Sequence, residues 1–189
     1  VVSILTMETS GIFGTILGTA AKQIFVFMIF GSFLELSGAS EFFLKMTSTM
    51  LGSLKGSGAK VNTMAGGLLG MVSGSAVANV MAVGPMTFPM MKKDGFSKDF
   101  CGAIAAISGT GGQLMPPVMG TAAFIIAETL AVSYGEVTKA ALIPGVLFYL
   151  TIWITINCHS NHLGLKDRRE KADWIPVVKN GFYYLVPII

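Results

Sequence analysis

The sequence has 189 residues, of which 52% are hydrophobic and 12% are charged, and its formal net charge is +3. Soluble domains contain about 25% charged residues. The low charge and the mean hydropathy of +0.69 therefore exclude an ordinary soluble domain and indicate an integral membrane protein in contact with a lipid bilayer. We expect no nucleic-acid partner.

Residues 1–60 are predicted to contain an N-terminal segment, a membrane helix and an amphipathic arm helix. The chain begins without an initiator methionine, which predicts that it is a fragment of a longer protein. An apolar run at 22–36 approaches the roughly 20 residues that a membrane span needs. At 41–54 apolar residues recur on one helical face, as in an interfacial helix. Residues 55–60 (KGSGAK) are predicted to be a flexible linker.

Residues 61–132 are predicted to contain a re-entrant helical hairpin at 61–91 and a broken transmembrane helix at 97–130. The apolar runs that flank Ser73-Gly74-Ser75 are too short to cross a hydrocarbon core of about 30 Å. The second break is SGTGGQLMPP at 108–117. Lipid cannot satisfy the backbone groups that such breaks free. Two breaks in tandem are typical of a transporter's ion and substrate site.

Residues 133–158 are predicted to form a transmembrane helix, 159–180 a cytoplasmic loop, and 181–189 the start of a further transmembrane helix. With a hairpin at 61–91, eleven of the 13 lysines and arginines lie on the cytoplasmic side, and Lys22 and Lys139 lie outside. A continuous span across 64–91 would place Lys92 and Lys93 on the side opposite Lys55 and Lys60. The distribution of charge therefore favours the hairpin.

The two breaks contain the groups that a hard cation prefers. A half-helix C-terminus presents free carbonyl groups to a cation, and a half-helix N-terminus presents free amides to a carboxylate. Neutral oxygens suited to sodium come from Ser73, Ser75 and Asn79 at the first break and from Gly109, Thr110, Gly112 and Met115 at the second. No acidic residue lies among them, which leaves room for an anionic substrate. The alternative is that these small residues only permit close helix packing.

Two motifs carry a specific resemblance. GLLGMVSGSAVANVMAVGPMTFPMMKKDGF and ISGTGGQLMPPVMGTAAFIIAE resemble the large permease subunit of tripartite ATP-independent periplasmic (TRAP) transporters. The GGQLMPPVMG wording is similar to the fused-permease branch that works with TAXI-type binding proteins. The resemblance covers roughly 11–165 and implies an all-α membrane protein with an ion-transporter-like elevator fold. This chain would hold one of its two inverted repeats, with half of the transport domain at 61–132.

The resemblance also implies a function and its partners. It implies sodium-driven uptake of a small organic acid that a periplasmic substrate-binding protein delivers. It further implies a small membrane subunit, separate or fused, and a multi-pass location in the inner membrane of a bacterium or archaeon. By position in the motifs, one sodium site would be formed mostly by backbone carbonyl groups of Ser73, Ser75, Asn79, Gly109, Thr110, Gly112, Met115 and Pro117. Ser75, Gln113 and Pro116 would lie at the substrate.

Other classes of membrane protein remain as alternatives. An ion channel would also use interrupted segments, although two opposed breaks suit alternating access better. A membrane enzyme could place a metal at Cys158, His159 and His162, but no third ligand with a fixed spacing accompanies the two histidines. We expect no catalytic residue and no organic cofactor.

Overall fold

The computed structural model describes residues 17–18, 21 and 25–166, and within them it has seven α-helices and no β-strand. The expected all-α architecture is therefore confirmed for this part of the chain. The predicted helix start at 181–189 and most of the predicted loop at 159–180 lie outside the described residues. The helices are α1 (Phe25–Leu36), α2 (Ala39–Leu51), α3 (Ser57–Ser73), α4 (Ala76–Asp94), α5 (Lys98–Gly112), α6 (Ala122–Thr129) and α7 (Tyr134–His162).

Helix α3 is the centre of the bundle. It is buried along most of its length and packs against α1, α2, α4, α5 and α7. Its glycines allow this because a helix without side chains at the contact lets a neighbouring backbone come close. Gly58 faces the backbone of Met90 and Met91 in α4. Gly70 faces Gly112 in α5 so closely that a Cβ atom on Gly70 would lie 2.2 Å from the Gly112 Cα atom.

Helices α3 and α4 form an antiparallel hairpin that is closed at both ends. At the base, the Asp94 carboxylate accepts hydrogen bonds from Gly58 N at 2.7 Å and from Ser57 Oγ at 3.4 Å. It thereby satisfies part of the free amide end of α3 and complements the positive end of its dipole. At the tip, Gly74 has φ of +60°, a conformation that favours glycine and ends α3 in a tight turn.

The hairpin helices are longer than the sequence predicts. They contain 17 and 19 residues, or about 26 and 28 Å at 1.5 Å per residue. The flexible linker is a wrong prediction for 57–60, since these residues form the first turn of α3. Lys60 is only 3% exposed and its ammonium lies 5.3 Å from the centre of the Trp153 ring. Residues 57–60 are small or polar but contact other helices, so the hydropathy of the sequence does not reveal that they are helical.

Two prolines lie inside α4 and do not end it. Pro85 and Pro89 each lack an amide hydrogen, but the helix continues to Asp94. Both proline rings are on an exposed side of the helix, where they meet no neighbouring helix backbone.

The second break begins later than predicted. Helix α5 continues through Gly112, and the non-helical connecting segment is 113–121, before α6. Gly109, Thr110 and Gly112 are therefore helical residues. The reason is packing. A Cβ atom on Gly109 would meet Val80 of α4, and one on Gly111 would meet Phe148 of α7. These glycines allow helices to touch and do not unwind the backbone.

Among the described residues, α7 is the one helix that is long and apolar enough to cross a membrane. It has 29 residues and ends at His162, four residues beyond the predicted end. Near this end His159 stacks on Phe100 at 4.2 Å between ring centres, and Lys55 Nζ donates to Asn161 Oδ1 at 2.6 Å. The base of the hairpin, the start of α5 and the end of α7 therefore lie at one end of the bundle.

A buried polar network joins three helices halfway along the bundle. Thr87 Oγ1 donates to Asn62 Oδ1 at 2.7 Å, and Asn62 Nδ2 donates to Ser108 Oγ at 2.7 Å. All three residues are at most 2% exposed. Tyr149 of α7 adds a hydrogen bond to Ser108 O at 2.9 Å. Because water is excluded here, each of these groups needs its partner, and together they fix the hairpin to α5.

The first prediction concerns the contact between Gly70 and Gly112. A Cβ atom on Gly112 would lie 2.5 Å from Gly70 Cα and 2.6 Å from Asn79 Nδ2. We expect Gly112→Ala to lower the stability of the intact protein by about 1–3 kcal/mol, the usual cost of overpacking, as a lower melting temperature in detergent. Gly102→Ala on the same helix meets nothing within 4 Å and should stabilise by up to about 1 kcal/mol. Equal melting temperatures for the two variants would contradict the packing argument.

The second prediction concerns the hairpin itself. Cysteines introduced at Lys55 and at Lys93, in a background where the exposed Cys158 is replaced by serine, should both be labelled by an impermeant thiol reagent from the cytoplasmic side. A cysteine at the exposed Glu136, at the other end of α7, should be labelled from the opposite side. Labelling of 55 and 93 from opposite sides would show that α3 and α4 cross the bilayer as one span.

Candidate functional site

The tip of the hairpin (residues 73–79) is a compact polar turn. Ser73 Oγ donates to Asn79 Oδ1 at 2.8 Å, and Ser75 N donates to Ser73 Oγ at 3.3 Å. Ser75 Oγ accepts from Ala78 N at 3.3 Å and so caps the start of α4. The turn thus supplies acceptors for its own backbone amides, and it keeps the side-chain oxygens of Ser73 and Asn79 together.

Asn79 joins this tip to the C-terminal end of α5. Its side chain is 1% exposed, and Nδ2 donates to Gly109 O at 3.3 Å. The contact is possible because Gly70 and Gly112 bring α3 and α5 together beside it. One side chain therefore links the first break to the helix that precedes the second.

The connecting segment lies against the tip. Val118 N donates to Met71 O at 3.1 Å, and Gly120 N donates to Gln113 O at 2.8 Å. Gly74 lies against Met119 O, since a Cβ atom on Gly74 would come within 2.2 Å of this oxygen. A small cavity lies at this junction, and its lining includes Ser73, Gly74, Met119 and Thr121.

The structure brings some of the predicted sodium-site residues together and separates others. Ser73, Asn79, Gly109 and Gly112 meet where the tip contacts α5, and Ser75 lies in the same turn. The others make different contacts. Thr110 is exposed and its hydroxyl donates to Ala106 O, Met115 Sδ lies against Gly145 of α7, and Pro117 O accepts from Tyr134 Oη at 2.9 Å.

The predicted substrate residues lie on both sides of this junction. Ser75 belongs to the tip, whereas Gln113 and Pro116 belong to the connecting segment. The Gln113 side chain covers Gly120, at 3.1 Å from a Cβ atom built there. Both residues of the segment are half-buried.

The end of α5 presents backbone carbonyl oxygens to the connecting segment. The carbonyl groups of Thr110, Gly111 and Gly112 accept hydrogen bonds from Gln113 N, Leu114 N and Met115 N at 2.9–3.2 Å. The carbonyl oxygens of Thr110 and Gly112 each keep a second lone pair, and the end of the helix carries the negative end of the dipole. The described residues hold no group of three or more histidine, cysteine or acidic side chains that could bind a metal. The oxygens at this end of the helix are those of neutral backbone carbonyl groups, which can act as ligands of a cation.

The sequence analysis missed the network of Asn62, Thr87 and Ser108. Asn62 and Thr87 are single polar residues within apolar stretches, which is the signal that could have shown them. Ser108 was read as the first residue of the break, but its side chain points into the helix bundle and accepts from Asn62.

Comparisons with known proteins identify the family of the chain. The family model described as "Tripartite ATP-independent periplasmic transporter, DctM component" matches residues 4–189. The isethionate TRAP transporter permease protein DctMQ of Oleidesulfovibrio alaskensis is 30% identical over 86% of this chain and 26% of its own length. The C4-dicarboxylate TRAP transporter large permease protein DctM of Vibrio cholerae is 28% identical over 69% and 28%. The sialic acid TRAP transporter permease protein SiaT of Haemophilus influenzae is 32% identical over 67% and 20%.

The match fixes the family but covers only part of the relatives. The chain spans between 20% and 28% of the length of these three proteins. The family is one of transporter permeases and not of enzymes. Since the family model matches nearly the whole chain, the chain belongs to the DctM family of large permease subunits of TRAP transporters.

Proposed function

We propose that the whole protein, of which this chain covers a part, takes up a small organic acid across the inner membrane of a bacterium or archaeon by sodium-coupled secondary transport. A periplasmic substrate-binding protein of the TAXI type delivers the substrate, and a small membrane subunit, separate or fused, completes the permease. The names of the three relatives mention isethionate, a C4-dicarboxylate and sialic acid, and all three are organic anions at neutral pH. This supports an organic anion as the substrate class.

The observation that carries the proposal is the bridge from Asn79 to Gly109. A sodium ion at this junction is held by Ser73 Oγ, Asn79 Oδ1 and carbonyl oxygens at the end of α5. The ion binds oxygen atoms of both the hairpin tip and α5, so it stabilises their contact. It thereby positions the connecting segment for the substrate. The start of α6 supplies free amides for the acidic group of the substrate, next to Gln113 and Pro116.

Transport follows from movement of the hairpin and the broken helix as one body. The Gly70–Gly112 contact and the network of Asn62, Thr87 and Ser108 hold α3, α4 and α5 together. We propose that this body moves as an elevator relative to a scaffold formed by other helices, and that sodium and substrate travel with it. The matching half of the transport domain belongs to the parts of the relatives that this chain does not span.

The third prediction tests the ion site without a known substrate. The melting temperature of the intact protein in detergent should rise with sodium at constant ionic strength and should not rise with potassium or choline. A ligand that binds only the folded state stabilises it by about 2.7 kcal/mol at 100 times its dissociation constant. Asn79→Ala removes an oxygen ligand and the bridge to α5, so it should shift the sodium midpoint at least about tenfold, which equals 1.4 kcal/mol.

Asn62→Ala is the matched control. Both asparagines are 1% exposed and both donate to α5, but only Asn79 lies at the tip. Asn62→Ala should lower the melting temperature without sodium and leave the sodium midpoint unchanged. If Asn79→Ala also leaves the midpoint unchanged, the site is not at the tip. If no variant or wild-type protein responds to sodium, coupling to sodium is wrong.

A further inference from the structure

The connecting segment is held from two sides at a single peptide group. The carbonyl oxygen of Pro117 accepts a hydrogen bond from Tyr134 Oη of α7 at 2.9 Å, and the amide of Val118 donates to Met71 O in the last turn of α3 at 3.1 Å. Both groups belong to the one peptide unit that joins Pro117 to Val118. This unit is trans, so its C=O and N–H point in opposite directions. One peptide therefore connects α7 with the end of α3.

The bond from Val118 replaces one that α3 lacks at its end. The last carbonyl groups of a helix have no donor within the helix. The regular donor to Met71 O would be Ser75 N, four residues further on, but this amide donates to Ser73 Oγ at the tip. Val118 N supplies the missing hydrogen bond. Because Val118 is buried, its amide in turn needs an acceptor within the protein.

The hydroxyl group of Tyr134 is held in place by its ring. The ring stacks on Phe124 of α6, with 4.5 Å between the ring centres and 10° between the planes. Oη donates to Val118 O as well as to Pro117 O, and since a hydroxyl carries one hydrogen, two successive carbonyl groups share it. A phenylalanine at this position would keep the stacked ring and remove the donor from two peptide groups.

The residue that follows these bonds has a strained backbone. Met119 has φ of +58°, a left-handed conformation that residues other than glycine rarely adopt. Its carbonyl oxygen lies against Gly74 at the hairpin tip. Such a conformation persists only where the surrounding contacts impose it, and the hydrogen bonds of Val118 to Tyr134 and Met71 lie directly before it. The strain indicates that contacts on both sides hold the segment against the tip.

We propose that Tyr134 is a positioning residue, which holds the connecting segment against the hairpin tip through the Pro117–Val118 peptide. Its effect on sodium rests on the proposed function. The segment begins directly after the carbonyl groups at the end of α5, and Met119 covers Gly74 beside Ser73. Without the hydroxyl the segment leaves the tip more often and water enters the junction. Neutral oxygen ligands attract a cation less strongly in water than in a dry site, so the ion binds more weakly.

The fourth prediction tests the Tyr134 hydroxyl in the intact protein. Tyr134→Phe should raise the sodium midpoint of the melting temperature about threefold to tenfold, the ratio that corresponds to the loss of about one hydrogen bond. Tyr149→Phe is the matched control. Both tyrosines are half-buried residues of α7 that donate to a backbone carbonyl at 2.9 Å, but Tyr149 bonds to Ser108 O within α5.

The control separates positioning from general stability. Tyr149→Phe should lower the melting temperature without sodium and leave the sodium midpoint unchanged. If Tyr134→Phe behaves in the same way, its hydroxyl has only a structural role and the inference is wrong.

A measurement without sodium separates this inference from the proposed function. Amide hydrogen exchange at residues 118–121 should be faster in Tyr134→Phe than in the wild type or in Tyr149→Phe, because the amide of Val118 loses its fixed orientation toward Met71 O. Unchanged exchange at these residues would overturn the inference. If exchange is faster in Tyr134→Phe but the wild type does not respond to sodium, Tyr134 does position the segment and the proposed sodium coupling is wrong.

Discussion

Helices α3 and α5 approach each other closely because Gly70 and Gly112 have no side chains at their contact. The rest of the candidate site depends on this distance. Asn79 reaches Gly109 O only because the two helices meet beside it, and Asn62 reaches Ser108 Oγ for the same reason. A larger residue at either glycine would separate the helices and leave the side-chain NH₂ groups of two buried asparagines without their acceptors on α5. The absence of side chains at this glycine contact, more than any single polar contact, therefore decides whether the hairpin tip can touch the broken helix.

Both breaks were predictable from the sequence. The backbone groups that a break frees cannot form hydrogen bonds with lipid, so such a break in an apolar segment has to lie within the protein or beside a water-filled cavity. The turn at Ser73-Gly74-Ser75 is where it was expected, and a second non-helical segment follows α5. The lengths of α3 and α4 were not predictable from hydropathy. Residues such as Lys60 and Asn62 are polar but face other helices, so their burial depends on tertiary contacts that one sequence does not reveal.

The position of the second break was also difficult to predict from the sequence. A run of glycines can unwind a helix or can let two helices touch, and the sequence allowed both. In the structure, Gly109, Gly111 and Gly112 lie at contacts between helices, and the unwound backbone is at 113–121. Ser73, Asn79 and Gly109, which the resemblance groups in one site, are joined by hydrogen bonds in the structure. Thr110 was grouped with them by position in the sequence, but helical geometry turns its side chain away.

The two helices of the hairpin differ in their backbone hydrogen-bond donors. In α3 every residue after the first turn has an amide that can donate to the helix backbone. In α4 Pro85 and Pro89 lack this hydrogen, so the carbonyl groups of Met81 and Pro85 have lost their usual donors and the helix is free to bend at two successive turns. At the base of α4 the Asp94 carboxylate accepts a hydrogen bond from Gly58 N, and near its other end Asn79 Nδ2 donates to Gly109 O. The hairpin is therefore held at both ends, and α4 is the helix in which two missing amide hydrogens permit a bend while the tip stays in contact with α5.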